Sequence, residues 1–107
     1  MPRKIIISEA TNNKAYGGRY LEKILFADVP TKGWLGFSIA EFAAGFSSPE
    51  KAWVQEEIGY ILEGKLVLSS EGEEIELGPG EAYHINKGEN VSFFAMKRAR
   101  YICIKWD

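Results

Sequence analysis

Four glycines at intervals of eight, Gly64, Gly72, Gly80 and Gly88, leave no room between them for an ordinary helix of roughly 10 residues. Each stands in a turn-like cluster: Glu63-Gly64-Lys65, Glu71-Gly72-Glu73, Gly78-Pro79-Gly80-Glu81 and Asn86-Lys87-Gly88-Glu89-Asn90. Glycine reaches positive φ at little steric cost, and proline and asparagine suit the same tight turns. The runs between and around them, 58–62, 66–69, 74–77, 82–85, 91–95 and 100–106, are rich in Ile, Leu, Val, Tyr and Phe. Short β-leaning runs separated by turn signals at such spacing predict a sandwich or barrel. Apart from the glycines the segments share little, which argues against a repeat solenoid.

The first half is less regular. Residues 5–8, 19–26 and 35–42 read as strands, 28–33 as a turn and 43–51 as a loop. About nine strands with little or no helix predict an all-β jelly roll, whose two packed sheets protect each other's edges. A chain of 107 residues, 46% hydrophobic and 13% aromatic, can fill one core, so 1–107 is expected to form a single domain. Thirteen basic against fifteen acidic side chains leave a net charge of −2, which offers no field for nucleic acid or an anionic membrane. No apolar run reaches the roughly 20 residues of a membrane helix. The opening Met1-Pro2-Arg3-Lys4-Ile5-Ile6-Ile7 is too briefly apolar for a signal peptide, so a cytoplasmic location is expected. Cys103 and His84 are the only residues of their kinds. That excludes an intrachain disulfide, a zinc finger and any multi-histidine centre. Cys103, inside a strand-like run, reads as a buried thiol acting as a small apolar side chain.

Glu57-Ile58-Gly59-Tyr60-Ile61-Leu62-Glu63-Gly64 resembles the end of the first cupin motif, with Glu57 and Gly64 at that motif's spacing. The second motif aligns from Gly80: Gly88 matches, Asn86 stands at its proline and Val91 at its histidine. The resemblance implies a cupin-type jelly-roll barrel, a double-stranded β-helix. It also exposes a departure. The two histidine positions of the first motif hold Lys51 and Trp53, or Glu50 and Ala52 on the alternative spacing. Of the usual ligands only Glu57 remains, and one carboxylate is a poor site for Fe, Mn, Zn or Ni. No metal and no other cofactor is therefore expected. Glu56-Glu57-Ile58-Gly59-Tyr60-Ile61-Leu62-Glu63-Gly64, with the closing aromatic-aliphatic strand 101–106, is similar to the small ethanolamine-utilisation cupins. That likeness implies a link to amine catabolism.

Placed by the resemblance, Glu57 faces the barrel lumen. It is then either a ligand-binding or general acid/base carboxylate, or a structural acid hydrogen-bonded to a Tyr or Lys, since burying a bare carboxylate is costly. Trp53, Tyr60 and Tyr83 could join it around a small, partly apolar ligand. If Tyr83 and Ile85 face the core, alternation puts His84 on the opposite face. The leading expectation is a metal-independent, small-molecule-binding or accessory protein. A metal-free lyase or isomerase would pair Glu57 with Tyr60, Tyr83 or His84, and a third possibility is a structural assembly subunit. The apolar run Ile5-Ile6-Ile7 predicts a homodimer formed through an edge strand.

Overall fold

The four residues Ala82-Tyr83-His84-Ile85 alternate exposed, buried, exposed, buried, and this period of two shapes the molecule. The computed structural model describes residues 4–28 and 35–107. Within them run β1 (Thr11–Ala15), β2 (Tyr20–Asp28), β3 (Leu35–Phe42), β4 (Lys51–Ala52), β5 (Glu56–Ser70), β6 (Glu73–Leu77), β7 (Ala82–Ile85) and β8 (Asn90–Trp106). The helical content among the described residues is two short 3₁₀ turns, Ile7–Glu9 and Tyr16–Gly18. No described helix is long and apolar enough to cross a membrane. The expected jelly roll is the observed fold.

All ladders are antiparallel, in the order β1-β2-β3-β8-β5-β6, with β7 on β5 and β4 on β8. β5 and β8 run through the whole barrel, and the register between them shifts from Ile61 to Leu66. On one side of that shift Glu56–Ile61 pairs with Tyr101–Trp106, flanked by β3 and β7. On the other, Leu66–Ser69 pairs with Ser92–Ala95, flanked by β6 and β4. The inward side chains of both halves form one core, in which Phe42 lies 5.5 Å from Phe93 and 6.0 Å from Tyr101, centroid to centroid.

Three expectations need correction. Residues 5–8 form no strand: Ile7–Glu9 is a 3₁₀ turn, and the edge strand is the polar Thr11–Ala15. Three consecutive isoleucines lack the alternation that would seat one face on a core. Gly64 is not a hairpin turn but the bend inside the continuous strand β5. It holds φ +84°, and a Cβ there would lie 2.0 Å from the Arg98 carbonyl oxygen. Positive φ serves a bulge as well as a turn, and this bulge lets two backbones cross. The neighbouring runs 58–62 and 66–69 are thus one strand, as are 91–95 and 100–106. The expected loop 43–51 ends in the short β4. Residues 29–33 of the expected turn lie outside the described residues.

Candidate functional site

On β5 the inward positions before the bend are Ile61, Gly59 and Glu57, and the outward ones are Tyr60 and Ile58. Glu57 is only 2% exposed. Its carboxylate accepts two hydrogen bonds, from the Tyr83 hydroxyl to Oε2 at 2.5 Å and from Trp53 Nε1 to Oε1 at 3.0 Å. A buried carboxylate needs such donors. The Tyr83 contact depends on the residue between them in the ladder. Gly59 pairs with Tyr83, and a Cβ on Gly59 would lie 2.0 Å from the Tyr83 ring. The missing side chain is the space the phenol occupies. Burial, then the adjacent Glu57 charge, pushes the Tyr83 hydroxyl well above its ordinary pKa, so it stays protonated and donates.

A second buried acid, Glu22 on β2, is 7% exposed. Its Oε2 accepts from Ser38 Oγ at 2.7 Å and from Lys105 Nζ at 3.3 Å, and its Oε1 accepts from Asn13 Nδ2 at 3.4 Å. Burial by itself would raise the Glu22 pKa, but the Lys105 ammonium and the Ser38 and Asn13 hydrogen bonds outweigh it and hold it below the usual value. Lys105 shows the converse. Burial opposes its charge, yet Cys103, Glu22 and Glu57 together push its pKa up. Cys103 is itself driven up by burial and then by Glu57. Its thiol is neutral near pH 7, which leaves the two carboxylates to stabilise the ammonium there. Lys105 stands directly opposite Glu57 in the β5–β8 ladder, so one cation serves two acids.

Glu22, Glu57 and Lys105 line a common cavity of about 220 Å³, walled by rings that include Tyr20, Trp53 and Tyr101. Lys51 reaches the same cavity with Nζ 5.4 Å from the Trp53 ring centroid, a cation–π contact. Of the residues singled out from the sequence, Glu57, Trp53 and Tyr83 come together. Tyr60 and His84 do not. Tyr60 is 45% exposed on the outer face of β5, because it is three residues from Glu57 on a period of two. His84 is exposed on the outer face of β7, where Nε2 lies 3.3 Å from Glu56 Oε1. Neither lines the cavity that Glu57 faces, so the structure does not bring them together with it.

Glu22, Ser38, Asn13, Gly59 and Lys105 were not singled out from the sequence. Glu22 and Lys105 had a signal: Lys105 shares the strand face of Tyr101 and Cys103, and Glu22 that of Tyr20. The positions that hold metal in the resemblance do not fit one. Lys51 and Ala52 pair with Val91 and Asn90 on β8, the Trp53 indole offers only a donor, and Val91 has no ligand atom. Among the described residues no group of three His, Cys, Asp or Glu side chains is placed to hold a metal ion.

A family model described as the cupin domain matches residues 38–105. The structure of KdgF from a Halomonas species superposes with a TM-score of 0.80 at 18% identity, covering 99% of this chain and 93% of that one. The polyketide cyclase RemF from Streptomyces resistomycificus gives 0.75 at 22% identity, covering 98% and 79%. EutQ from Clostridium difficile gives 0.66 at 20% identity, covering 96% and 79%. At these identities the likenesses concern the fold. No curated protein matches the sequence.

Proposed function

The chain belongs to the cupin domain family, and from that premise we propose that it binds a small organic molecule without a resident metal, as a binding or accessory protein. The observation that carries this reading is Glu57: a buried carboxylate, braced by Tyr83 and Trp53, that lines a cavity shared with Glu22 and Lys105. Each Glu57 oxygen accepts one bond, which leaves lone pairs for a ligand. Carboxylates only accept, so the ligand supplies an N–H or O–H donor. The aromatic walls suit a flat or apolar body. A cavity of about 220 Å³ is below the ~300–1,000 Å³ of drug-sized sites, which points to a metabolite.

A cavity of this size weighs against a purely structural subunit, for which a filled lumen would be expected. The lyase or isomerase reading narrows to Glu57, since Tyr83 is sealed behind it and absent from the cavity lining. A connection to amine catabolism rests on the sequence likeness of 56–64 and 101–106 to the small ethanolamine-utilisation cupins. The test is a thermal-shift and calorimetric screen of small amines, hydroxy acids and phenols. A compound should stabilise the native protein and bind Glu57→Gln at least about tenfold more weakly, the worth of one charge-assisted hydrogen bond. Equal affinity for Glu57→Gln and for Trp53→Ala would place binding elsewhere. Elemental analysis should find well below one equivalent of Fe, Mn, Ni or Zn; a stoichiometric metal that survives dialysis would defeat the metal-independent part.

A further inference from the structure

Among the described residues, two opposite charges at the cavity stand without an ionic partner. Glu57 accepts from the neutral Trp53 and Tyr83 side chains, and no described cation is in ion-pair contact with it. Lys105, its neighbour in the ladder, makes its ionic contact with Glu22 at 3.3 Å. Lys51 is the converse case. Its ammonium lies against the Trp53 ring, and no described carboxylate is paired with it. One indole holds both charges: Lys51 Nζ is 5.4 Å from the Trp53 ring centroid, and Glu57 Oε1 is 3.0 Å from Trp53 Nε1. Their separation therefore cannot exceed those two distances plus the width of an indole. Lys51, Trp53 and Glu57 also line a second recess of about 190 Å³, so both hollows present the same pair of charges.

Building on the small-molecule site proposed above, we infer that its ligand is a small zwitterion, an amino acid whose ammonium docks on Glu57 and whose carboxylate reaches Lys51. A carboxylate taken out of water is held better by a cation than by neutral donors alone, and a ligand ammonium supplies that cation. Tyr20, Phe93 and Tyr101 line the same cavity, and the faces of such rings attract an ammonium. A simple amine would leave Lys51 unanswered, and a simple acid would meet the like charge of Glu57. The charged side chains lining the cavity balance, Glu22 and Glu57 against Lys51 and Lys105. A ligand of zero net charge preserves that balance. An amine or an acid instead adds one uncompensated charge to a site partly withdrawn from water.

The test is isothermal titration calorimetry of the native protein with glycine, β-alanine, γ-aminobutyrate and leucine. Each is titrated beside the amine that lacks its carboxylate and the acid that lacks its amino group. At least one amino acid should bind, at least about tenfold more tightly than either counterpart. Lys51→Met should weaken that amino acid by about tenfold and leave the amine unchanged, whereas Glu57→Gln should weaken both. An amine that binds as tightly as its amino acid, or native affinity in Lys51→Met, would overturn the inference. So would the failure of every amino acid to bind, and there the two readings separate. A hydroxy acid, phenol or amine whose binding still depends on Glu57 would leave the small-molecule site standing, and the lack of any Glu57-dependent ligand would remove both. Lys51 is exposed, so Lys51→Met should melt with the native protein. If it melts lower, Lys51→Gln takes its place and the same outcomes decide.

Discussion

The two ends of the barrel are built by the same strands with opposite chemistry. Beyond the bend, β5 and β8 supply Leu66, Leu68, Phe93 and Ala95, all apolar and buried. Before it the same strands supply Glu57, Gly59, Cys103 and Lys105. One end follows the ordinary rule for a core. The other places two acids, one ammonium and a glycine where apolar side chains would stabilise more simply. Departures from local consistency are expected at functional positions, and here they cluster at one end. On the proposed reading the closed end carries stability and the open end recognition, a division that substitutions can separate.

The largest effect is expected at the bend. Gly64→Val adds a β-branched side chain at φ +84° against the Arg98 backbone, and backbone cannot yield as a side chain tip can. A loss of at least about 3 kcal/mol is expected, which at ~4–8 °C per kcal/mol lowers the melting temperature by more than ten degrees. Melting within a few degrees of native would show that β5 can cross β8 another way.

Next comes the ion pair of the open end. Lys105→Met leaves Glu22 buried without its cation, at a cost of about 3 kcal/mol. The pH dependence tests the same pair. The folded Glu22 pKa lies below its ordinary 4.5, so its contribution is present above that value and is lost as pH falls through the folded pKa. Urea unfolding between pH 3 and 8 should show this acid limb in the native protein and a smaller one in Lys105→Met. Coincident curves would mean that Lys105 does not hold Glu22 ionised.

Gly59→Ala should cost about 2 kcal/mol by driving the Tyr83 ring off Glu57, seen as moved Tyr83 ring resonances together with weaker ligand binding. An unmoved ring would show that β5 itself shifts. Gly88→Val, at φ +93° in open space, meets strain without collision and should cost about 1–2 kcal/mol. The smallest change in stability, within about 1 kcal/mol, is expected of Glu57→Gln. Its amide oxygen can accept from Trp53 while its NH2 donates to the Tyr83 oxygen. Calorimetric unfolding should therefore find the fold intact while ligand affinity drops, and a loss near 3 kcal/mol would make Glu57 a structural acid instead.

Legibility in the sequence followed the same division. β3 and β7 have the bounds expected of them, 35–42 and 82–85, because regular spacing and flanking turn residues act locally. β1 could not be seen. Thr11-Asn12-Asn13-Lys14 is wholly exposed, and an edge strand without an apolar face has no pattern to read. Gly64 was found but misassigned, since positive φ does not distinguish a turn from a bulge until the crossing strand is known. Glu57 was placed through the resemblance, and Tyr83 through alternation. Its other partners were hidden for a different reason. Glu22 and Lys105 are 83 positions apart, and alternation tells which face a charge occupies without telling what it meets. Gly59 is the extreme case, because its role is the absence of a side chain at the position of the Tyr83 ring.

The position of β8 between β3 and β5 has a consequence for how the chain reaches this structure. Trp106 pairs with Leu35 across 71 positions (106 − 35), whereas β5 and β6 close locally around Glu71 and Gly72. Loop closure must precede the contacts that reward it, and non-local β topologies fold over milliseconds to seconds. The β5–β6 hairpin can therefore form early, within about 1–10 μs, while β3 waits with one side unpaired for β8. In that interval the future cavity has neither Lys105 nor the Tyr101 wall. Glu22 and Glu57 are then acids on separate segments, and their shared arrangement around Lys105 is expected among the last features to appear during refolding.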